Sequence, residues 1–102
     1  MEKAILKEAQ EYLNAERFNE TIDFVLQQLK SNPDNIDLLM LLGKGYFKMQ
    51  KFGEAKNIFN QILNLDGENK EAFVYIELIE RIITITRNYY FENTYTDDQL
   101  YV

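Results

Sequence analysis

Residues 36–69 read IDLLMLLGKGYFKMQKFGEAKNIFNQILNLDGEN, and this stretch decides the fold. Its apolar residues fall into two stripes at helical spacing. Leu39, Leu42, Gly43 and Tyr46 form the first; Phe52, Ala55, Phe59, Ile62 and Leu63 form the second. Gln50-Lys51 is a short polar break between them. Asp66-Gly67-Glu68-Asn69 closes the stretch, with a glycine to end one helix and an asparagine to cap the next. Two amphipathic helices joined by a tight turn make a helical hairpin.

Working outward, the preceding residues 2–35, EKAILKEAQEYLNAERFNETIDFVLQQLKSNPDN, repeat this unit at a spacing of 34 without a gap. Tyr12 falls on Tyr46, Phe18 on Phe52, Glu20 on Glu54, Gln27 on Gln61, Leu29 on Leu63 and Asn35 on Asn69. Ile5 meets Leu39, Ala9 meets Gly43, Val25 meets Phe59 and Pro33 meets Gly67. A third copy starts on schedule, with Asp37 on Glu71, Leu39 on Phe73 and Leu42 on Ile76. The pattern predicts five helices, at about 2–14, 18–31, 36–49, 52–65 and 70–88. The expected fold is all-α, a superhelix of stacked antiparallel hairpins. The expected organisation is a helical repeat domain over 1–88 and an aromatic tail over 89–102. Its units are 2–35 and 36–69, followed by a closing helix at 70–88.

The second unit carries a resemblance. Leu39, Leu42-Gly43, Tyr46, Phe52, Ala55 and Phe59 stand where the tetratricopeptide repeat family has its large residue, Leu-Gly, Tyr, aromatic, Ala and Phe. The first unit is similar through Ile5, Ala9, Tyr12, Phe18, Val25 and Pro33. Departures are Thr21 and Gln28 in place of Ala, Gly67 in place of the terminal Pro, and Glu77 where a small residue belongs. The resemblance covers residues 2 to about 83. It implies that Ala9 and Gly43 let paired helices approach closely, and that Tyr12 and Tyr46 fill the space beside them. The aromatic and aliphatic stripe is then core packing rather than a cofactor site.

The resemblance also implies a concave face built from the first helix of each unit. Leu6, Gln10 and Leu13, then Met40, Lys44 and Phe47, then Val74 and Leu78 are the expected partner-binding residues. Such an apolar face suits an amphipathic helix or extended peptide, unless the closing helix or tail covers it. Family members that clamp a terminal carboxylate use Lys, Asn and Arg on this face. The matching positions here hold Leu6, Gln10, Leu41, Glu71 and Tyr75, a set unsuited to that ligand.

The C-terminal third departs from a plain closing helix. From Phe73 to Ile85 the sequence is apolar nearly all round, broken by Glu77, Glu80 and Arg81, so burial on both sides is expected. The following residues are dense in β-branched and aromatic types, which favours extended structure. Either the tail folds over its own helix, or it packs against a second molecule. For the second case, Ile79, Ile82, Ile83, Tyr89, Tyr90 and Phe91 are the expected self-association residues.

Composition bounds the function. Eleven basic residues against seventeen acidic ones give a net charge of −6, which disfavours nucleic-acid binding. With no Cys and no His there is no disulfide, no thiolate nucleophile and no usual general base or metal ligand. Gly43-Lys44-Gly45 lacks phosphate-loop spacing, and Asp97-Asp98 and Asp66-Gly67-Glu68 lack calcium-loop spacing. No catalytic residue, cofactor or metal is expected. No apolar run reaches a membrane span, and the start lacks a secretory signal, so the expected location is cytoplasmic. The function expected is non-enzymatic binding of a protein or peptide on the concave face. The alternative is a structural module that forms a homodimer through the closing helix and tail.

Overall fold

The computed structural model describes the backbone of residues 2–101 and the side chains of residues 3–88. It contains α1 (Glu2–Asn14), α2 (Phe18–Leu29), α3 (Ile36–Lys48), α4 (Phe52–Leu65) and α5 (Lys70–Tyr101). No strand is present among the described residues. α1 packs on α2 and α3, α2 on α3, α3 on α4, and α4 on α5. Short turns at 15–17 and 49–51 force antiparallel pairs, so the chain is a stack of helical hairpins.

The 34-residue spacing of the sequence is repeated in the backbone. Glu16 and Gln50 both take left-handed φ, 62° and 61°. At each turn two hydrogen bonds close the helix end. Arg17 N–H donates to Tyr12 O and Lys51 N–H to Tyr46 O, both at 2.9 Å. Glu16 N–H donates to Leu13 O at 3.0 Å and Gln50 N–H to Phe47 O at 2.9 Å. This is the Schellman arrangement, usually built on glycine. Asn35 and Asn69 cap α3 and α5 in the same way. Their Oδ1 atoms accept from Leu38 N at 3.0 Å and Ala72 N at 2.9 Å. Each cap satisfies a donor that the first helical turn would leave unpaired.

The two hairpins solve one packing problem with different volumes. Ala9 and Val25 are fully buried in the cluster that joins α1, α2 and α3. At the equivalent places in the second hairpin stand Gly43 and Phe59. A Cβ at Gly43 would lie 2.7 Å from two ring carbons of Phe59. The missing side chain on α3 makes room for the larger ring on α4. Thr21, where the resemblance prefers Ala, is fully buried, and its hydroxyl donates to Arg17 O at 2.9 Å. Its polar group is thereby satisfied. Arg17 pairs with Glu20 through Nε (2.8 Å) and Nη2, and lies over the Tyr12 ring at 5.1 Å. The paired carboxylate raises the guanidinium pKa still further.

α5 corrects the expectation for the C-terminus. The helix does not end near residue 88 and no extended tail follows; it runs on to Tyr101. Gly67 is the last glycine and Pro33 the only proline, so nothing breaks it. Ala72, Ile76 and Ile79 face α4 as core residues, and Ile83 is the last of the described side chains to pack against them. Residues 84–88 are all exposed. Residues 84–88 of α5 therefore stand clear of the body. The second half of α5 cannot fold back over the first, because the two are one continuous helix.

Candidate partner-binding groove

α1, α3 and α5 line one side of the stack, and their residues form two adjoining depressions. The first lies between α1 and α3 and reaches α5. Leu6, Lys7 and Gln10 line it from α1, Met40 and Lys44 from α3, and Glu71 from α5. The second lies between α3 and α5, with a volume of about 570 Å³, lined by Phe47, Lys70, Glu71, Val74, Tyr75 and Leu78. Glu71 belongs to both. Its carboxylate meets Lys44 Nζ at 3.1 Å and ties α5 to α3 across the floor.

The second depression is built on aromatic packing. Phe47 meets Tyr75 edge to face at 5.2 Å and Phe52 at 5.6 Å. Tyr75 stacks in parallel on Phe59 at 4.7 Å. Three helices thus hold the ring cluster, and each ring fixes the next. Above that rigid floor Val74 is 57% exposed and Leu78 42% exposed. Ordered aromatics with open aliphatic neighbours make a surface that can bury apolar side chains of a partner with little rearrangement.

Of the expected partner-binding residues, the structure gathers Leu6, Gln10, Met40 and Lys44 in the first depression. Phe47, Val74 and Leu78 are gathered in the second. Two differ from expectation. Met40 is only 7% exposed and belongs to the core with Leu39. Leu13 is half-buried against the α1–α2–α3 cluster and lines neither depression. Gln10 is engaged, donating to Asn14 Oδ1 at 2.9 Å.

The expected self-association residues divide. Ile79 is 0% exposed and is a core residue, because Ala72, Ile76, Ile79 and Ile83 share the face turned to α4. It has no surface to offer a second molecule. Ile82 and Ile83 are half-buried. Tyr89, Tyr90 and Phe91 lie outside the residues whose side chains are described. Sequence reasoning missed Ile85 as a surface residue; it is 67% exposed. Its position seven residues after Leu78 was the available signal, since seven residues return to nearly the same face.

Among the described residues no three His, Cys, Asp or Glu side chains cluster as a metal site, and no helix is long and apolar enough to cross a membrane. No protein-family model matches the chain, and no curated protein sequence matches it.

Proposed function

We infer that this protein is a tetratricopeptide-like helical repeat module that binds a peptide or partner protein along the groove formed by α1, α3 and α5, and that it performs no chemistry. The supporting observation is the second depression. Val74 and Leu78 stand open beside a fixed Phe47–Tyr75 pair, and polar groups border the apolar strip at Lys70 and Glu71. An apolar strip with a polar rim is the arrangement that receives an amphipathic helix or an extended segment. The 34-residue period, the paired turns and the Gly43–Phe59 approach support the likeness to tetratricopeptide repeats. The absence of His and Cys from the sequence supports a binding role over catalysis.

Panning a displayed random peptide library against the intact protein tests this reading. Selected peptides should carry apolar residues at helical or alternating spacing. They should lose at least tenfold in affinity against Val74→Asp, a change of roughly 1.4 kcal/mol or more. Val74 is open to solvent, so the variant should keep its helix content. Selected peptides that bind Val74→Asp as well as the wild type would move the site away from this groove.

A further inference from the structure

We propose that the two outer faces of the stack are closed to another helical hairpin, including one from a second copy of this chain, by Lys7, Glu8 and Glu11 on α1 and by Glu77 and Glu80 on α5. α3 shows what open faces require. Toward the first hairpin it presents Leu38, Leu41 and Leu42, buried with Ala9, Ile22 and Val25. On the same side a Cβ at Gly45 would lie 3.1 Å from Cγ1 of Ile22. Toward α4 it presents Leu39, buried with Ala55, Phe59 and Ile62. Gly43 is on that side too, where a Cβ would lie 2.7 Å from the Phe59 ring. Both faces are free of charge.

The 34-residue register carries both faces onto the neighbouring helices. α5 keeps the first. Ala72, Ile76 and Ile79 stand for Leu38, Leu42 and Gly45 and are buried against α4, and Tyr75, in the place of Leu41, stacks on Phe59. α1 keeps the second. Ile5, Ala9 and Tyr12 stand for Leu39, Gly43 and Tyr46; Ala9 is fully buried and Tyr12 meets Phe24 at 5.7 Å. The remaining face of each helix is changed. On α1 it is Ala4, Lys7, Glu8 and Glu11, all exposed. On α5 it is Phe73, Glu77 and Glu80, all exposed, with only Phe73 still apolar. Ile79 shows that the place of Gly45 admits a large residue, but an apolar one; Glu11 brings a carboxylate there. Glu77 stands where α1 and α3 have Ala9 and Gly43, so it is both charged and too large for the approach.

A hairpin arriving at either face would have to take these charges out of water, which is costly without a partner for each. Glu80 already pairs with Lys56 of α4 at 3.3 Å, and both side chains keep their hydration; a docked helix would remove it. The chain's own third hairpin is refused a second time at its turn. Thr84 falls on Glu16 and Gln50, the two left-handed closing residues. A β-branched residue rarely takes that conformation, and α5 runs through the position as helix. A repeat stack with fitting ends adds copies head to tail and grows into filaments, since such a contact repeats without closing. Polar outer faces keep a stack finite. Here they leave the flank where α1, α3 and α5 line up as the side open to a partner.

An added hairpin on the full chain reads the closure directly, by hydrogen exchange and without reference to peptide binding. A second copy of residues 36–69 inserted between residues 35 and 36 meets a fitting face on each side, and its amides should be protected like those of α3 and α4. The same copy placed ahead of residue 2 meets the charged face of α1, and its amides should exchange about tenfold faster or more. Lys7→Leu/Glu8→Leu/Glu11→Gly, which restores the residues of α3, should return the protection. At the other end, the sequence of residues 50–65 put in place of 84–99 should stay unprotected, and adding Glu77→Gly/Glu80→Tyr should protect it. Without an added hairpin the substituted chains should keep the wild-type helix signal, since every changed residue is exposed. Protection of the copy ahead of residue 2 in the otherwise unaltered chain would overturn the proposal. So would copies that stay unprotected after the restoring substitutions. An inserted copy that is itself unprotected would show that fitting faces are not what admits a hairpin, and would overturn it as well.

Discussion

Replacing Gly43 by alanine should destabilise the protein even though alanine is the better helix former. The added Cβ would lie 2.7 Å from Cε1 and Cζ of Phe59 and 3.1 Å from Cδ1. The ring has nowhere to go, since Phe59 is fully buried and stacked on Tyr75 at 4.7 Å. Overpacking of this kind costs about 1–3 kcal/mol, and a rigid contact with two ring atoms belongs near the upper end. The gain in helix propensity offsets about 1 kcal/mol. The net loss is about 2 kcal/mol, which for a chain of this size lowers the melting temperature by roughly 8–16 °C. Thermal and urea unfolding followed by circular dichroism would measure it. Gly53→Ala is the control: a Cβ there meets nothing within 4 Å, so that variant should be as stable as wild type or slightly more. The first hairpin supplies the rescue. With Phe59→Val in place, which reproduces the pairing of Ala9 with Val25, Gly43→Ala should cost nothing and should stabilise, a coupling of about 2–3 kcal/mol. If Gly43→Ala alone is as stable as Gly53→Ala, the close approach of α3 and α4 is not what fixes glycine at that position.

Other expectations follow from the same geometry. Asn69→Ala removes the acceptor for Ala72 N–H and should cost about 1 kcal/mol in urea denaturation, with a similar loss for Asn35→Ala. Ile79→Asp places an unpaired carboxylate among fully buried neighbours and should cost more than about 4 kcal/mol, abolishing the far-ultraviolet helix signal. Ile85→Asp, six residues on, should leave that signal unchanged. Lys56→Ala breaks the pair with Glu80 at 3.3 Å, but both side chains are more than a third exposed, so unfolding should shift by less than about 1 kcal/mol.

Much of this architecture was legible in the sequence, for identifiable reasons. The stripes from Ile5 to Leu63 have helical period and are punctuated by Pro33, Gly67 and two capping asparagines, so the first four helices could be placed to within a turn. The extent of α5 could not. Its aromatic and β-branched residues favour extended structure by propensity, but propensity is a weak prior, and a helix with no Gly or Pro in its path has no local reason to stop. The face of Met40 was legible, since it lines the first depression, but its burial was not. Spacing put it on the groove side with Asp37 and Lys44, but α3 is the central helix, with α1, α2 and α4 around it. Every residue from Leu38 to Leu42 is buried there. Ile79 was hidden in a segment apolar on nearly all sides, where periodicity cannot separate the face that meets α4 from the face left open.

The two left-handed turn residues bear on how much sturdier this protein could become. Glu16 and Gln50 each hold a side chain in a backbone conformation that costs a non-glycine residue about 1–2 kcal/mol. Glycine would remove that strain at the same two hydrogen bonds, and its greater unfolded-state freedom would return only part of the gain. Both hairpins are thus closed by a residue well short of the best available, at matching points of the repeat. The chain sits below its attainable thermal ceiling by two identifiable and independent increments, the ordinary condition of a protein held only to a threshold of stability. The same positions are where a hardened version would begin.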